Sequence, residues 1–193
     1  MANIYSFDGL IPVVHPSSFI HPTATLIGDV IIGPGCYIGP GASLRGDFGR
    51  IEMRTGSNIQ DNCVAHCTKG GEVIVEEDGH VGHGAILHGC TVGRNVMVGM
   101  NSVVMDLTVI GENTVIGAMA FVKSRQDIPA GHLVMGAPAK VIRPLTEAEL
   151  NRKARGTRAY QWLAQQCPEL LKQVDQPLTE VNADRQRVTI RPD

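Results

Sequence analysis

Aliphatic residues recur along this chain with a period of six. Steps of six from Val14 reach Ile20, Leu26, Ile32, Ile38 and Leu44. The same phase returns at Ile74, His80, Ile86, Val92, Val98, Val104, Ile110, Ile116, Val122, Ile128 and Val134. Of these 17 positions 16 hold Ile, Leu or Val, which composition alone does not produce. Neither the 3.6 period of a helix nor the 2.0 period of an ordinary strand sustains a six. A short strand plus a corner does. One aliphatic side chain per hexapeptide points inward, and a glycine beside it, as in Ile32-Gly33, Val92-Gly93 and Ile116-Gly117, relieves crowding at the turn.

This pattern resembles the hexapeptide-repeat left-handed parallel β-helix family. In that family three hexapeptides make a triangular coil of roughly 18 residues, and each coil buries its aliphatic row by stacking on the next, ~4.8 Å away. The fold class expected is all-β, a left-handed parallel β-helix with a C-terminal α-helix. The phase breaks between Leu44 and Ile74, where Ile51 and Ile59 fall out of step and Thr68-Lys69-Gly70-Gly71-Glu72 reads as a short protruding loop. After Val134, Met135-Gly136-Ala137-Pro138-Ala139-Lys140 reads as a closing turn. Thr146-Glu147-Ala148-Glu149 is a capping box that opens a helix from about Glu147 to Gln166, with Leu150, Tyr160, Trp162 and Leu163 on it. Pro168 restricts continuation, and a second short helical piece is expected around Glu169 to Val174. The expected organisation is a β-helix over 8–145, a helical segment over 146–174 and an extended tail over 175–193.

Composition narrows the function classes. A net charge of −2 supplies no basic field for nucleic acid or for an acidic membrane. No run approaches the ~20 apolar residues of a membrane span, and the start of the chain lacks the cationic-then-apolar pattern of a signal peptide. The five cysteines are scattered without a C-x-x-C pair, which argues for a reducing cytoplasm rather than a disulfide framework.

The histidines carry the chemistry. His15, His21 and His132 lie beside prolines or in loops and read as surface residues. His80 falls on an inward repeat position and reads as a buried, hydrogen-bonded structural residue. His66, His83 and His88 differ. His88 follows His66 by one coil plus four residues, so a loop that absorbs four places both on one face of adjacent coils. His83 then lies on the preceding face, pointing elsewhere. A second prism packed alongside would bring it to the same ion, and three prisms about a threefold axis would make three equivalent sites. Three imidazoles with a fourth position open is the pattern of catalytic zinc.

Together Arg45-Gly46-Asp47, Asn58-Ile59-Gln60-Asp61, His66, Gly82-His83 and His88-Gly89 resemble the γ-class carbonic anhydrase family over roughly residues 8–145. The resemblance implies metal ligands at His66 and His88 of one subunit and His83 of the next. It implies that Gln60 bonds the metal-bound water, and that Arg45, Asp47 and Asp61 sit at the subunit junction with an Arg–Asp pair across it. Asn58 belongs to the same motif, and Tyr160 on the C-terminal helix is a candidate to approach the pocket. Phe48 stands where the archetypal enzymes carry a glutamate, and the long acidic loop that shuttles their protons is here only Thr68–Glu72. Along its length the chain looks most like the PaaY-type branch of phenylacetate degradation, with the carnitine-operon protein CaiE second.

These readings lead to a cytoplasmic homotrimer with zinc, or alternatively iron(II) or cobalt, at the subunit contacts. The expected reaction is acyl-CoA thioester hydrolysis by a hydroxide that the metal supplies. CO2 hydration to bicarbonate is the alternative, and a hexapeptide acyltransferase or a carnitine-pathway accessory protein is the further one.

Overall fold

Each hexapeptide contributes a strand of about two residues and then turns. Met97–Val98, Val103–Val104 and Val109–Ile110 are three successive strands of one coil. The computed structural model describes residues 2–189. The chain winds as a left-handed parallel β-helix of about seven turns with one C-terminal helix.

The prism has three faces. The first stacks Phe19–Ile20, Tyr37–Ile38, Asn58–Ile59, His80–Val81, Met97–Val98 and Val115–Ile116. It ends in an antiparallel hairpin of His132–Met135 with Lys140–Pro144. The second face carries Val64–His66, Ile86–His88, Val103–Val104 and Phe121–Val122. The third carries Glu72–Val75, Thr91–Val92, Val109–Ile110 and Asp127–Ile128. The long strands Thr25–Ile32 and Ser43–Met53 run around the corner between the second and third faces. Pairing starts ahead of residue 8, because Asn3–Tyr5 lies parallel to residues 25–27.

The core is the stack of inward residues. On the second face Leu26 lies over Leu44, Leu44 over Ala65, Ala65 over Leu87 and Leu87 over Val104, all at 0% exposure. Burying one such Leu or Ile contributes about 1.5–3 kcal/mol, and the coil below supplies the cover. Four of the five cysteines are buried in this core, and all five are free thiols.

The broken middle of the repeat resolves into three irregular coils. Leu44 pairs with Ala65, a step of 21 residues, and Ala65 with Leu87, a step of 22. Leu87 then pairs with Val104, a step of only 17. Three extra residues bulge out between Leu44 and Met53, four more between Ala65 and Val75, and one is missing between Leu87 and Val92. The bulges touch: Gly49 passes so close to the carbonyl of Gly71 that no Cβ fits between them. The two insertions and the deletion together amount to one hexapeptide, so the phase before Leu44 returns only at Val92. Ile51 and Ile59, which seemed out of step, are therefore fully inward. Val75, Val81 and Leu87 point into the core instead of the expected Ile74, His80 and Ile86. Ile86 is 39% exposed.

The helix, α1 (Glu147–Leu170), starts at the capping box: Thr146 accepts from the Glu149 N–H, and Glu149 accepts from the Thr146 N–H. Arg143 grips the Glu149 carboxylate with two N–H groups at 2.9 and 2.8 Å. Instead of ending near Gln166, the helix runs on through Pro168, and among the described residues no second helical piece follows. Pro168 falls in the last turn, where the one hydrogen bond its missing N–H forfeits and the crowding of the carbonyl four residues before it loosen only the helix end. The segment 175–189 has neither helix nor strand, and 190–193 of the expected tail lie outside the described residues.

The helix lies across the first face, against Phe19–Ile20, Tyr37–Ile38 and Asn58–Ile59. Its buried residues are Lys153, Thr157 and Ala164, one stripe by helical spacing. Leu163, partly buried, packs against the Phe19–Tyr37 cluster, and Leu150 and Trp162 are half-buried. Among the described residues no helix is long and apolar enough to cross a membrane.

The corrected phase is testable by denaturation. Val75→Ala is expected to cost about 2 kcal/mol of unfolding free energy, and Ile74→Ala less than about half of that. A larger loss at Ile74 would restore the uncorrected phase.

Candidate metal centre

His66 and His88 end two neighbouring strands of the second face and lie side by side in parallel register. The four-residue bulge produces this alignment, because a regular coil would place residue 84 beside His66. Each imidazole is held by a carboxylate. His66 donates from Nε2 to Asp47 Oδ1 at 3.1 Å, and His88 donates from Nδ1 to Asp106 Oδ1 at 2.8 Å. Those bonds leave the other nitrogen of each ring bare, and the two bare atoms, His66 Nδ1 and His88 Nε2, face each other at 3.3 Å. Two lone pairs that close need a positive charge between them. Two nitrogens of a tetrahedral zinc, each ~2.0–2.1 Å from the ion, stand ~3.3–3.4 Å apart. The donor set therefore fits a zinc-type ion. The carboxylate–histidine pairs are the support that metal-binding imidazoles ordinarily have.

Asp47 is also bonded by Arg45 Nη1 at 2.6 Å. Its burial opposes ionisation, but the Arg45 hydrogen bond and charge, with His66, outweigh that and hold its carboxyl below the ordinary value. Within one chain the Arg45–Asp47 pair is thus formed along a single strand. Phe48, 55% exposed, tilts against the His66 ring with centroids 5.3 Å apart.

His83 lies elsewhere, on the corner after His80–Val81, between the first and second faces. Its Nδ1 is tied to Asp61, and its Nε2 lies 3.4 Å from the Tyr160 hydroxyl. Among the described residues of the single chain, no three His, Cys, Asp or Glu side chains gather closely enough to hold a metal. Tyr160 packs edge-on to Tyr37 and His80 as well as reaching His83. Burial foremost, with Asp61 and Cys63 nearby, pushes its phenol up to about 12, so it stays a donor.

Asn58 and Gln60 alternate with inward Ile59 and are covered by the helix, at 1% and 2% exposure. Gln60 Nε2 donates to Asn58 Oδ1 at 3.0 Å and to His80 Nε2 at 2.8 Å. His80 Nδ1 lies 3.3 Å from Asn58 Nδ2 and 3.4 Å from Thr157 Oγ1. His80 is buried and hydrogen-bonded, but on the outer side of the first face beneath the helix, not in the prism core. Burial, then the charges of Lys153 and His83, push its imidazole down to about 4.

Two features escaped the sequence reading. Asp106 was legible: it follows His88 by 18 residues, one regular coil. The partnership of His80 with Gln60 was hidden because its phase was one residue off.

Residues 11–46 and 89–124 match the family model described as bacterial transferase hexapeptide, six repeats. The fold and this repeat define a hexapeptide-repeat protein. The chain belongs to the hexapeptide-repeat transferase family, among relatives that carry the name carnitine operon protein CaiE. It is 53% identical to that protein of Salmonella agona, over 95% of this chain and 92% of the relative. It is 50% identical to that of a Proteus species, over 96% and 94%. A solved hexapeptide transferase family protein of Anaplasma phagocytophilum superposes with a TM-score of 0.81 at 37% identity, covering 84% of this chain and 96% of that one. A putative acetyltransferase of Bacillus cereus superposes with 0.84 at 35%, covering 85% and 95%. The Salmonella and Proteus relatives carry the carnitine-operon name, so the first place that the motifs gave to the PaaY-type branch is corrected in favour of CaiE.

His80 makes stability acid-sensitive. The unfolded imidazole titrates near 6.5 and the folded one near 4, so the unfolded state binds more protons between these values. Its neutral form supports the fold above about pH 6.5, and that support falls away as pH drops towards 4, a change on the order of 3 kcal/mol. Denaturation curves of His80→Gln should be flatter across this window than those of the parent. Parallel pH profiles would rule out this origin.

Proposed function

We propose that this chain is a metal-dependent hydrolase of acyl-CoA thioesters, acting in the cytoplasm as an accessory enzyme of the carnitine-operon kind. The facing bare nitrogens of His66 and His88, each backed by a carboxylate, are the observation that carries this reading. His83 is the natural third ligand, because Asp61 fixes its Nδ1 and leaves the Nε2 lone pair engaged only by the Tyr160 hydroxyl, at 3.4 Å. It lies on a different face, so it would serve a second copy, and a closed homotrimer would satisfy all three sites at once. Zinc is the first choice for three imidazoles, with iron(II) or cobalt as alternatives. When bound, such an ion supplies Lewis acidity for the attack of water on a carbonyl.

The remaining roles belong to the chain. Asp47 and Asp106 set the tautomers of His66 and His88. Arg45 neutralises Asp47, so that its charge orients His66 without competing as a ligand. Phe48 gives the site an apolar wall beside His66, suited to an acyl chain. Tyr160 Oη, held protonated, is a hydrogen-bond donor at the His83 side. Gln60 has its amide nitrogen engaged by His80 and Asn58, so only its carbonyl oxygen is left to orient a water.

The hexapeptide transferase relatives and the carnitine-operon name support CoA-linked chemistry, while the phenylacetate setting gains no support from them. CO2 hydration is the second reading, since the same donor set would serve it. Phe48 disfavours it by placing an aromatic ring where a proton-relaying acid would be needed. An acyltransferase that uses His80 as its base is disfavoured, because that ring is buried beneath the helix with both nitrogens engaged.

The test is a metal-analysed preparation assayed against a panel of acyl-CoAs and against CO2. His66→Ala is expected to abolish thioester cleavage, and Asp106→Asn to lower metal affinity or rate by about 10- to 100-fold. His66→Ala and His83→Ala chains, each inactive alone, should regain partial activity when co-assembled, because a mixed trimer contains a junction free of both changes. Rapid CO2 hydration without cleavage of any acyl-CoA would transfer the assignment to the second reading.

A further inference from the structure

Away from the histidine pair, a cavity of about 320 Å³ opens between the first half of α1 and the first face. Its volume is at the lower end of the range for small-molecule sites. Its floor is aliphatic: Met97 and Val115 of successive coils, Leu133 of the closing hairpin and Leu145. The helix contributes Arg152 and Lys153.

The charge in this cavity is unbalanced. Glu149 also lines it, but both of its oxygens are taken by Arg143. Arg152 has no ion-pair partner among the described residues. Lys153 is 5% exposed, and its Nζ donates to Asp78 O and Asn95 Oδ1, each at 2.6 Å. An ammonium has three N–H groups, so one is left without an acceptor beside the cavity. Burial, only partly offset by Asp78, depresses its amine to about 8, the mark of a cation short of anionic company.

A second feature keeps the space open. Gly156 stands inside the helix, where glycine is the poorest residue after proline. A Cβ there would meet only His80 Cε1, at an ordinary 3.7 Å. Packing therefore does not demand glycine, and any longer side chain at this position would intrude on the cavity.

We propose that this cavity binds an aliphatic monocarboxylate, its chain on the Met97–Val115–Leu133 floor and its carboxylate on Lys153 and Arg152. A carboxylate supplies the missing acceptor to Lys153 and a partner to Arg152, and the floor takes a linear tail. Such a carboxylate is also what thioester hydrolysis releases, yet the site stands whether or not that reaction is the chain's own.

Octanoate, octan-1-ol and octylamine, titrated calorimetrically into the intact full-length protein, form the test. Octanoate should bind, and the alcohol and the amine at least about tenfold more weakly. Arg152→Gln should weaken octanoate by about tenfold, and Gly156→Leu should remove binding while native mass and helical content are kept. His66→Ala should leave octanoate binding intact, which separates this cavity from the metal centre. The proposal is overturned if octanoate fails to bind, if the alcohol binds equally, if Gly156→Leu binds undiminished, or if binding vanishes with His66→Ala.

Discussion

The parallel ladder that stacks each coil on the next governs everything else in this molecule. An inward residue is buried only because the coils above and below present the same phase, so one misplaced residue would turn an aliphatic row outward. The outward positions inherit the same discipline. His66 and His88 become neighbours not through any attraction of their own but because Ala65 must lie under Leu87. Asp106 reaches His88 because the next coil has recovered its ordinary length, and Asp47 reaches His66 from the coil before.

The regular coils were fully legible from the sequence, since every hexapeptide repeats the same physical demand. The irregular ones were legible only in part. Spacing alone aligned His66 with His88, because that argument needed only the total length of the bulge. It misplaced Ile74, His80 and Ile86, because two insertions and a deletion sum to one hexapeptide and the exact return of phase hides them. The helix start was written in the capping box, but its end was not. Pro168 signalled a stop that the last turn does not need. The polar underside of the helix could not be foreseen from its apolar residues either. Lys153 and Thr157 are buried because the first face presents Asn58, His80 and the Asp78 carbonyl to them.

Between Val14 and Val134 the departures from the six-residue period fall in the coils that carry the histidines and their carboxylates; one further excess, of four residues, lies at the start of the chain between Ile4 and Val14. Regular coils repeat the same outward positions and leave little freedom to aim the side chains they carry. A bulge changes which residues meet across coils while the core continues beneath. Glycines at the contacts, such as Gly49 against Gly71, let the extra backbone pack close. Within the body of the prism, local rules broken where chemistry is concentrated are what a functional site on a repetitive scaffold looks like.

Each of the three histidines has its own carboxylate: Asp47 for His66, Asp61 for His83 and Asp106 for His88. That arrangement decides, ring by ring, which nitrogen is free. It also binds the proposed metal to the proposed assembly. A chain alone offers two bare nitrogens facing one another, an arrangement short of a positive charge, and a third on a face that cannot reach them. If the third ligand comes from a second copy, an ion bound at the junction stabilises the contact, and the contact raises the affinity for the ion by the same free energy. Metal and trimer would then rise and fall together. The corner that carries His83 would be as much a part of the subunit interface as of the site.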